Sequence, residues 1–286
     1  MREPASIQTH LTLDQKLERM QDILRSLGRV AVAFSAGVDS TFVLKVAIDT
    51  LGPENVIAVT GRSDSLAEGE FEESKRLAES MGARHVVLET EEFSDPNYLA
   101  NPVNRCYFCK SELYSKLDAF IAEHNLAAAV NGINADDYAD WRPGIQAARE
   151  HTVRAPCAEA GMTKADIRAL SERFGLPTFD KPASPCLSSR VQYGEPITPA
   201  KLKQIERSEA LLKSLGFREC RVRHHNNLAR IELPPDDMLR ALDPEVRARI
   251  DAGLREFGYA YVTLDLRGFR SGSMNEVIPV ESLKRK

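Results

Sequence analysis

The sequence predicts an α/β protein in which a parallel, doubly wound sheet is followed by a smaller α+β domain. Short apolar runs alternate with helical patterns through the first half of the chain, which is the order that parallel βαβ units produce. A stretch rich in proline and serine follows, and beyond it the order of elements changes. We therefore expect a first domain at residues 1–180, a functional loop and linker at 181–197, and a second domain at 198–286.

Local signals define the elements of the first domain. Apolar residues recur at helical spacing from Leu13 to Leu27, and Gly28 ends that helix. Thr12 and Gln15 have the spacing of a capping box. Four buried strands are expected at 29–34, 55–60, 84–88 and 127–131, and further helices at 40–51, 67–81, 107–125 and 163–174.

The second domain has a different order of elements. Thr198 caps a helix that has Pro199 at its first position and ends at Gly216. Two strands then flank the turn His225-Asn226-Asn227, and a helix at 244–257 precedes a strand at 259–266. This mixture of hairpin and helices is typical of a small α+β domain.

Composition excludes several classes of protein. A net charge of −4 over 286 residues argues against a dedicated nucleic-acid binder, which usually has a basic imbalance. No apolar run approaches the roughly 20 residues of a membrane helix, and Met1 to His10 lacks a signal pattern. We expect a cytoplasmic protein. Its five cysteines, an odd number, point to metal binding or catalysis rather than disulfides.

The strongest motif is Ser35-Ala36-Gly37-Val38-Asp39-Ser40, which follows a buried strand and opens a helix. Small residues let backbone N–H groups approach phosphate oxygens, and the helix N-terminus adds a partial positive charge. Asp39 would repel a phosphate unless a cation lies between them, so the motif indicates Mg²⁺. The signatures of Walker-type NTPases and of dinucleotide dehydrogenases are both missing here. An ordinary strand-to-helix turn capped by serine remains the alternative.

Other polar residues fit the same site. Gly132 and Asp137 follow the fourth expected strand, at the edge where open α/β sheets bind ligands. Lys110 and Arg142 could neutralise phosphate charge. Taken singly, each of these residues is equally compatible with an ordinary solvated surface position.

Three cysteines form a second candidate site. Cys106 and Cys109 form a C-x-x-C pair at an expected helix start, where a thiol pKa is lowered, and Cys186 lies in the linker. Three thiolates suit an iron–sulfur cluster with one open iron, or a zinc site lacking a ligand. A redox pair, or buried cysteines beside a helix end, are the alternatives. Cys157 and Cys220 are expected to be core residues.

Charged residues alternate on the strands of the second domain. Arg221 and Arg223 share one strand face, and Arg230 and Glu232 share a face across the turn. Arginine forks match phosphate and carboxylate groups. Glu209 and Arg270 are candidates to join this patch. The alternative is a solvated sheet face with salt bridges.

The motif at 35–40 resembles the S-G-G-x-D-S loop of the PP-loop ATP pyrophosphatases. Members of that superfamily cleave ATP between the α- and β-phosphates and adenylate a substrate oxygen. Ala36 stands where that superfamily usually has glycine. Retained binding is expected if the φ angle of Ala36 is negative, and a strained loop if it is positive.

The whole chain resembles the LarE family of ATP-dependent sulfur transferases. The resemblance rests on the loop at 35–40 and on residues 183–190, 221–234 and 261–275. It implies ATP and Mg²⁺, a homo-oligomer such as a hexamer, and a small nucleotide substrate. That substrate is pyridinium-3,5-biscarboxylic acid mononucleotide, a precursor of the nickel-pincer nucleotide, whose carboxylates become thiocarboxylates.

The resemblance also assigns roles to residues. Members that sacrifice a single cysteine carry it where this chain has Pro185, so this chain resembles the three-cysteine branch. In that branch Cys106, Cys109 and Cys186 hold a [4Fe–4S] cluster, and a sulfide on the fourth iron is transferred. The family positions near the sulfur are Glu209, Arg221, Arg223 and Arg270, and the resemblance implies that they hold the phosphate or carboxylate of the substrate.

Two other functions compete with sulfur transfer to a small nucleotide. A tRNA-thiolating enzyme of the same superfamily can also use three cysteines and a cluster, but it needs a basic RNA surface. A non-catalytic protein that holds ATP, or is stabilised by zinc, is the second competitor.

Overall fold

The N-terminal helix forms as its local signals predict. The computed structural model describes residues 11–139, 142–270 and 272–277. Helix α1 spans Leu13–Leu27, and the Thr12 and Gln15 side chains accept each other's backbone N–H in a capping box. Gly28 follows with φ +74°, a left-handed conformation that glycine adopts without steric cost. The predicted bounds of this helix are confirmed.

The first sheet is parallel and has four strands. Strands β1 (Val30–Ala33), β2 (Val56–Arg62), β3 (Arg84–Glu89) and β4 (Ala128–Val130) lie in the order β3-β2-β1-β4. The chain therefore moves outward from β1 to β3 and returns to the other side of β1 at β4. A crevice outside the carboxyl ends of β1 and β4 is the expected ligand position in such a sheet.

Helices cover both faces of this sheet, which confirms the predicted fold class. They are α2 (Val38–Leu51), α3 (Glu68–Ser80), α4 (Pro96–Leu99), α5 (Arg105–His124), α6 (Pro143–Glu150), α7 (Pro156–Glu159) and α8 (Lys164–Arg173). One face packs around Phe42 and Leu170, and the other packs around Leu117 and Phe120. Helix α2 starts at Val38, two residues before the predicted position, because Gly37 is already the extended N-cap. The short helices α4, α6 and α7, each opened by proline, were not predicted.

The second domain is built on a three-stranded mixed sheet. Its elements are α9 (Pro199–Ser214), β5 (Arg221–His225), β6 (Leu228–Glu232), α10 (Pro235–Ala241), α11 (Pro244–Glu256) and β7 (Tyr261–Leu264). The predicted hairpin pairs β5 with β6 in antiparallel fashion, and β7 joins β6 in parallel. This sheet has its own core with Phe217 and Cys220, so the smaller α+β unit is confirmed, whereas the residue limits of both domains stay predictions. No helix in the described part of the chain is long and apolar enough to cross a membrane.

The segment between the two sheets packs against both units. Leu187, Val191 and Ile197 from this segment share an apolar cluster with Tyr98 of α4 and Leu202 of α9. Val191 also forms a bridge to His224 of β5. The loop that carries Cys186 is therefore held between the first domain and the small sheet.

Candidate functional site

The predicted phosphate loop lies between β1 and α2. The Ser35 backbone N–H donates to the Ser40 hydroxyl oxygen at 3.2 Å, and the two hydroxyl oxygens are 3.1 Å apart. The Ser40 hydroxyl also donates to the Gly37 carbonyl at 3.3 Å. These contacts close the loop over the first turn of α2. The free N–H groups of that turn, with the partial positive charge of the helix, are suited to an anion.

Ala36 has a positive φ, which is the strained alternative named in the sequence analysis. Its φ is +55°, in the left-handed region where a side chain costs roughly 1–2 kcal/mol. The residue is fully buried in the core beneath the loop, and its carbonyl accepts a hydrogen bond from Lys181 Nζ at 3.2 Å. The structure therefore has the strained loop that a positive φ predicts, and packing and Lys181 hold the left-handed turn.

Asp39 forms an ion pair that the sequence did not predict. Lys164 Nζ lies 2.5 Å from Asp39 Oδ2, while Asp39 Oδ1 is buried and has no hydrogen-bond partner among the described residues. An unpartnered buried carboxylate oxygen beside a phosphate loop fits a Mg²⁺ ligand. Lys164 opens α8 after its Thr163 cap, and this cap was the only local signal that could have drawn attention to it.

The loop after β4 lies directly against the phosphate loop. A Cβ added to Gly132 would lie 2.9 Å from both the Asp39 Cβ and the Ser40 backbone nitrogen, so only glycine fits there. Asp137 accepts from the Asn134 N–H at 3.1 Å, and Arg142 lies 2.8 Å from its other oxygen. Burial raises the pKa of Asp137, and the nearby Asp39 charge acts in the same direction. The structure thus brings Gly132, Asp137 and Arg142 to the loop.

Two predicted ATP ligands have other surroundings. The Val38 side chain is buried in the core, so this residue can offer only its backbone N–H to a phosphate. The Lys110 ammonium lies 6.0 Å from the centroid of the Tyr114 ring and interacts electrostatically with the nearby cysteine thiols. Contact between Lys110 and ATP stays a prediction.

The three predicted sulfur-site cysteines lie in one neighbourhood. Cys106 is exposed in the first turn of α5, and Cys109 and Cys186 are partly exposed. The Cys109 thiol interacts electrostatically with the thiols of Cys106 and Cys186. Within the described residues, however, no three Cys, His, Asp or Glu side chains converge closely enough to share a metal ion.

The thiol of Cys109 is not activated by its helix start, contrary to the expectation from the sequence. Burial raises its pKa well above the usual range, and the Glu92 carboxylate adds to the effect. Cys109 Sγ lies 4.0 Å from Glu92 Oε1, which also accepts from the hydroxyls of Ser63 and Ser65. Desolvation and a neighbouring carboxylate therefore outweigh the helix dipole.

Arg105 attaches the Cys186 loop to the C-x-x-C helix, and Tyr98 attaches it to the preceding helix α4. The buried Arg105 guanidinium donates to the Ser188 carbonyl at 2.8 Å and to Asn101 Oδ1 at 2.7 Å. The Tyr98 hydroxyl lies 2.7 Å from the Ser188 hydroxyl. No motif or periodicity in the sequence points to Arg105 or Tyr98. Together they bring Cys186 toward Cys106 and Cys109.

Glu209 is part of the site and is linked to the Cys186 loop by Arg190. Its carboxylate forms a bidentate pair with Arg190, at 2.9 and 3.0 Å, and accepts from the Val222 N–H. Arg190 in turn donates to the carbonyls of Pro185 and Cys186. Burial alone would raise the pKa of Glu209, but the Arg190 charge outweighs it and the pKa is lowered.

The predicted charged face is largely buried, so its interpretation as a solvated surface is wrong for Arg221 and Arg223. Arg221 donates to the carbonyl of Ala183, which lies in the cysteine loop. Arg223 donates to the Ser189 carbonyl at 3.1 Å and pairs with the fully buried Glu232 at 2.8 Å. Both arginines thus hold the backbone around Cys186.

Arg270 lies beside this group without touching the cysteine loop in the described part of the chain. It pairs with Glu276 at 2.9 Å and with Asp265 at 3.4 Å. The Arg221 guanidinium lies 5.1 Å from the centroid of the neighbouring Phe269 ring. The run predicted around Arg270 therefore adjoins the arginine face, and Ser271 lies outside the described residues.

The remaining two cysteines are core residues, as predicted. Cys157 and Cys220 are fully buried, each in a separate apolar cluster. Burial raises the pKa of both thiols, to about 12 for Cys220, so both are protonated at neutral pH.

The parallel sheet, the phosphate loop and the acidic edge after β4 together define an enzyme of the PP-loop class, which uses ATP. No family model matches the sequence. The chain is 45% identical over 266 residues to an uncharacterized protein of Synechocystis sp., covering 93% of this chain and 99% of that protein. It is 40% identical over 270 residues to the pyridinium-3,5-bisthiocarboxylic acid mononucleotide synthase of Lactiplantibacillus plantarum, covering 93% and 96%.

These similarities identify the family. The chain belongs to the family of pyridinium-3,5-bisthiocarboxylic acid mononucleotide synthases, the LarE family expected from its sequence. The chain is also 29% identical, over 114 residues that make up 39% of its length, to the glutamine-dependent NAD(+) synthetase of Aquifex aeolicus. That shorter similarity supports the assignment to the PP-loop class of ATP-using enzymes.

Proposed function

We propose that this enzyme uses ATP to adenylate carboxylates of pyridinium-3,5-biscarboxylic acid mononucleotide and converts them to thiocarboxylates. The observation that carries the proposal is the contact between the two candidate sites. Lys181, in the loop that bears Cys186, donates to the carbonyl of Ala36 in the phosphate loop. An activating site and a sulfur site so connected suit consecutive steps on one substrate.

The first proposed step is adenylation. A carboxylate oxygen of the substrate forms a bond to the α-phosphorus of ATP, the bond from that phosphorus to the bridging oxygen breaks, and pyrophosphate leaves. The N–H groups at the start of α2 and the Lys164 ammonium beside Asp39 support this step, because both can stabilise the phosphate charge. Asp39, through its unpartnered Oδ1, would hold Mg²⁺, which supplies further charge neutralisation when bound.

The second proposed step is sulfur transfer. A sulfur nucleophile at the Cys186 loop forms a bond to the carbonyl carbon of the acyl-adenylate, and AMP leaves with the electrons of the broken C–O bond. AMP is a far better leaving group than hydroxide, which is why adenylation comes first. Arg221 and Arg223 hold the loop backbone, so they position the sulfur in this step.

The three cysteines fit an iron–sulfur cluster by their chemistry. Three thiols lie in one neighbourhood beside the cations of Arg105 and Lys110, which would offset thiolate charge. Because the thiols do not converge on one point, binding requires them to draw together. Cys106, Cys109 and Cys186 would hold a [4Fe–4S] cluster, and inorganic sulfide taken up on its open iron would be the transferred sulfur.

Two measurements test the proposal. Asp39→Asn should abolish substrate-dependent release of pyrophosphate, because the nucleotide loses its metal ligand; wild-type release in that variant would contradict the assignment of the ATP site. Iron and acid-labile sulfide, measured on protein purified without oxygen, should each reach about four per chain. No iron after careful reconstitution would contradict the cluster and leave Cys186 as a sacrificial donor or the thiols as a zinc site.

A further inference from the structure

Lys181 joins three acceptors at the boundary between the two candidate sites. Its ammonium donates to the Ala36 carbonyl at 3.2 Å, to Glu70 Oε2 at 2.8 Å and to Glu73 Oε2 at 2.7 Å. Only 15% of the side chain is exposed. An ammonium has three N–H donors, so these acceptors saturate it and fix its position.

Glu70 of helix α3 contacts the cysteine loop at a second residue, Ser184, in addition to Lys181. The Ser184 hydroxyl donates to Glu70 Oε1 at 2.9 Å, two residues before Cys186. Burial raises the pKa of Glu70, but Lys181 and Ser184 outweigh it, so the group remains ionised at neutral pH. Glu70 therefore binds the loop through both of its oxygens.

Lys181 also contacts the phosphate loop, at the strained residue Ala36. Ala36 holds a left-handed turn immediately before the N–H groups of the first turn of α2. Its carbonyl is the atom that Lys181 contacts, so a displacement of the lysine acts on the turn that shapes the anion site. A displacement of the turn acts, in the same way, on the loop segment 181–186.

We propose that Lys181 is a positioning residue that couples nucleotide occupancy of the phosphate loop to the conformation of the Cys186 loop. The inference deepens the proposed function and rests on it, since the proposed function places ATP and sulfur at these two loops. A bound triphosphate adds negative charge beside Ala36 and so changes the forces on an ammonium held between a carbonyl and two carboxylates. The Ser184–Glu70–Lys181 contacts transmit that change to the cysteine loop.

Hydrogen exchange of the full-length enzyme tests the coupling, with α,β-methylene-ATP and Mg²⁺ as the ligand. In the wild type we expect the analogue to slow amide exchange in peptides from both the phosphate loop and residues 183–190. The change in the cysteine loop should be about fivefold or more, the usual lower range of coupling between sites. In Lys181→Met we expect protection of the phosphate loop alone.

Matched variants separate positioning from charge and folding. Lys45→Met removes a lysine of α2 that pairs only with the neighbouring Asp49 in the described contacts, and it should behave as wild type. Lys181→Arg keeps the charge and should restore part of the coupling. Should Lys181→Met fold poorly, Lys181→Met combined with Glu73→Gln removes the unbalanced carboxylate and is expected to lose the coupling as well.

The outcomes distinguish the inference from the function on which it rests. Wild-type protection of residues 183–190 in folded Lys181→Met, or in the double variant, would overturn the coupling role of Lys181. Protection limited to the phosphate loop in the wild type would also overturn it while supporting the nucleotide site. A wild-type enzyme in which neither loop responds and no analogue binds would overturn the proposed function itself.

Discussion

Glu209 and Arg190 form a buried bidentate ion pair, with nitrogen–oxygen distances of 2.9 and 3.0 Å, directly behind the loop that bears Cys186. The terminal nitrogen of Arg190 that does not contact Glu209 donates to oxygens of the loop, including the Cys186 carbonyl at 3.0 Å. The carboxylate therefore acts on the sulfur site through the guanidinium. This arrangement gives Glu209 a positioning role on the cysteine loop.

Glu209→Gln should impair sulfur transfer and leave adenylation intact. The amide keeps the shape of the carboxylate but cannot form the charged pair, so Arg190 no longer fixes the loop. Misplacement of a reacting group by about 1 Å costs roughly a hundredfold in rate. Thiocarboxylate formation and pyrophosphate release, measured on the same samples, separate the two steps. An equal loss of both would show that Glu209 acts on the nucleotide site or on folding.

The same pair predicts how stability depends on pH. Because Arg190 lowers the folded pKa of Glu209 below its ordinary value of 4.5, the charged group contributes stability above that pH. This contribution is lost as the pH falls through the folded pKa. Breaking a buried pair by removing one partner costs about 3–5 kcal/mol, so Arg190→Met should unfold more easily at neutral pH.

Urea unfolding of wild type and Glu209→Gln at a series of pH values measures this linkage. The wild type should lose free energy of unfolding more steeply than the variant as the pH falls below 4.5. Parallel curves for the two proteins would show that the Glu209 pKa is the same in the folded and unfolded chains.

The sequence predicted the parts of this site that depend on local patterns. The strand before Ser35, the helix after it and the alternation of Arg221 with Arg223 are periodic or adjacent signals, and all three appear in the structure. The charged partners were not predicted, because their contacts join distant positions. Lys164 meets Asp39 across 125 residues, and Lys181 meets Ala36 across 145.

The effect of burial on the pKa of Cys109 was also not predicted from the sequence. A helix start was expected to lower the pKa of the C-x-x-C thiols, but the pKa of Cys109 is raised by desolvation and by Glu92. Glu92 lies 17 residues earlier in the chain, in a short turn with no motif of its own. Hydrophobic periodicity places a residue on a face of its element but does not show which distant carboxylate packs against it.

Gly132→Ala should weaken nucleotide binding through a steric effect. The added methyl carbon would lie 2.9 Å from the Asp39 Cβ and the Ser40 backbone nitrogen, so the phosphate loop must move. We expect the affinity for α,β-methylene-ATP, measured by calorimetry, to fall by about tenfold or more, which corresponds to about 1.4 kcal/mol.

Gly69→Ala is the matched control for this substitution. Gly69 lies in α3 with open space around its Cα, so the added methyl group should keep nucleotide affinity and stabilise the helix by up to about 1 kcal/mol. Wild-type affinity in Gly132→Ala would contradict the close packing between the loop after β4 and the phosphate loop.

The cysteines should separate into two groups by their effect on sulfur transfer. Cys186→Ser, Cys106→Ser and Cys109→Ser should each lower thiocarboxylate formation by about a thousandfold or more, a loss comparable to removal of a reacting group. Substrate-dependent pyrophosphate release should continue in all three, because the phosphate loop is built from the residues between β1 and α2 and from the first turn of α2.

Cys157→Ala tests whether the loss of sulfur transfer is specific to Cys106, Cys109 and Cys186. Its thiol is fully buried in the core of the first domain, so the substitution should lower the free energy of unfolding by about 1 kcal/mol and leave both reactions intact. Sulfur transfer that survives in Cys109→Ser but fails in Cys186→Ser would mean that Cys186 acts alone, as a sacrificial donor. Such a result would remove the C-x-x-C pair from the mechanism while keeping the ATP site and the cysteine loop.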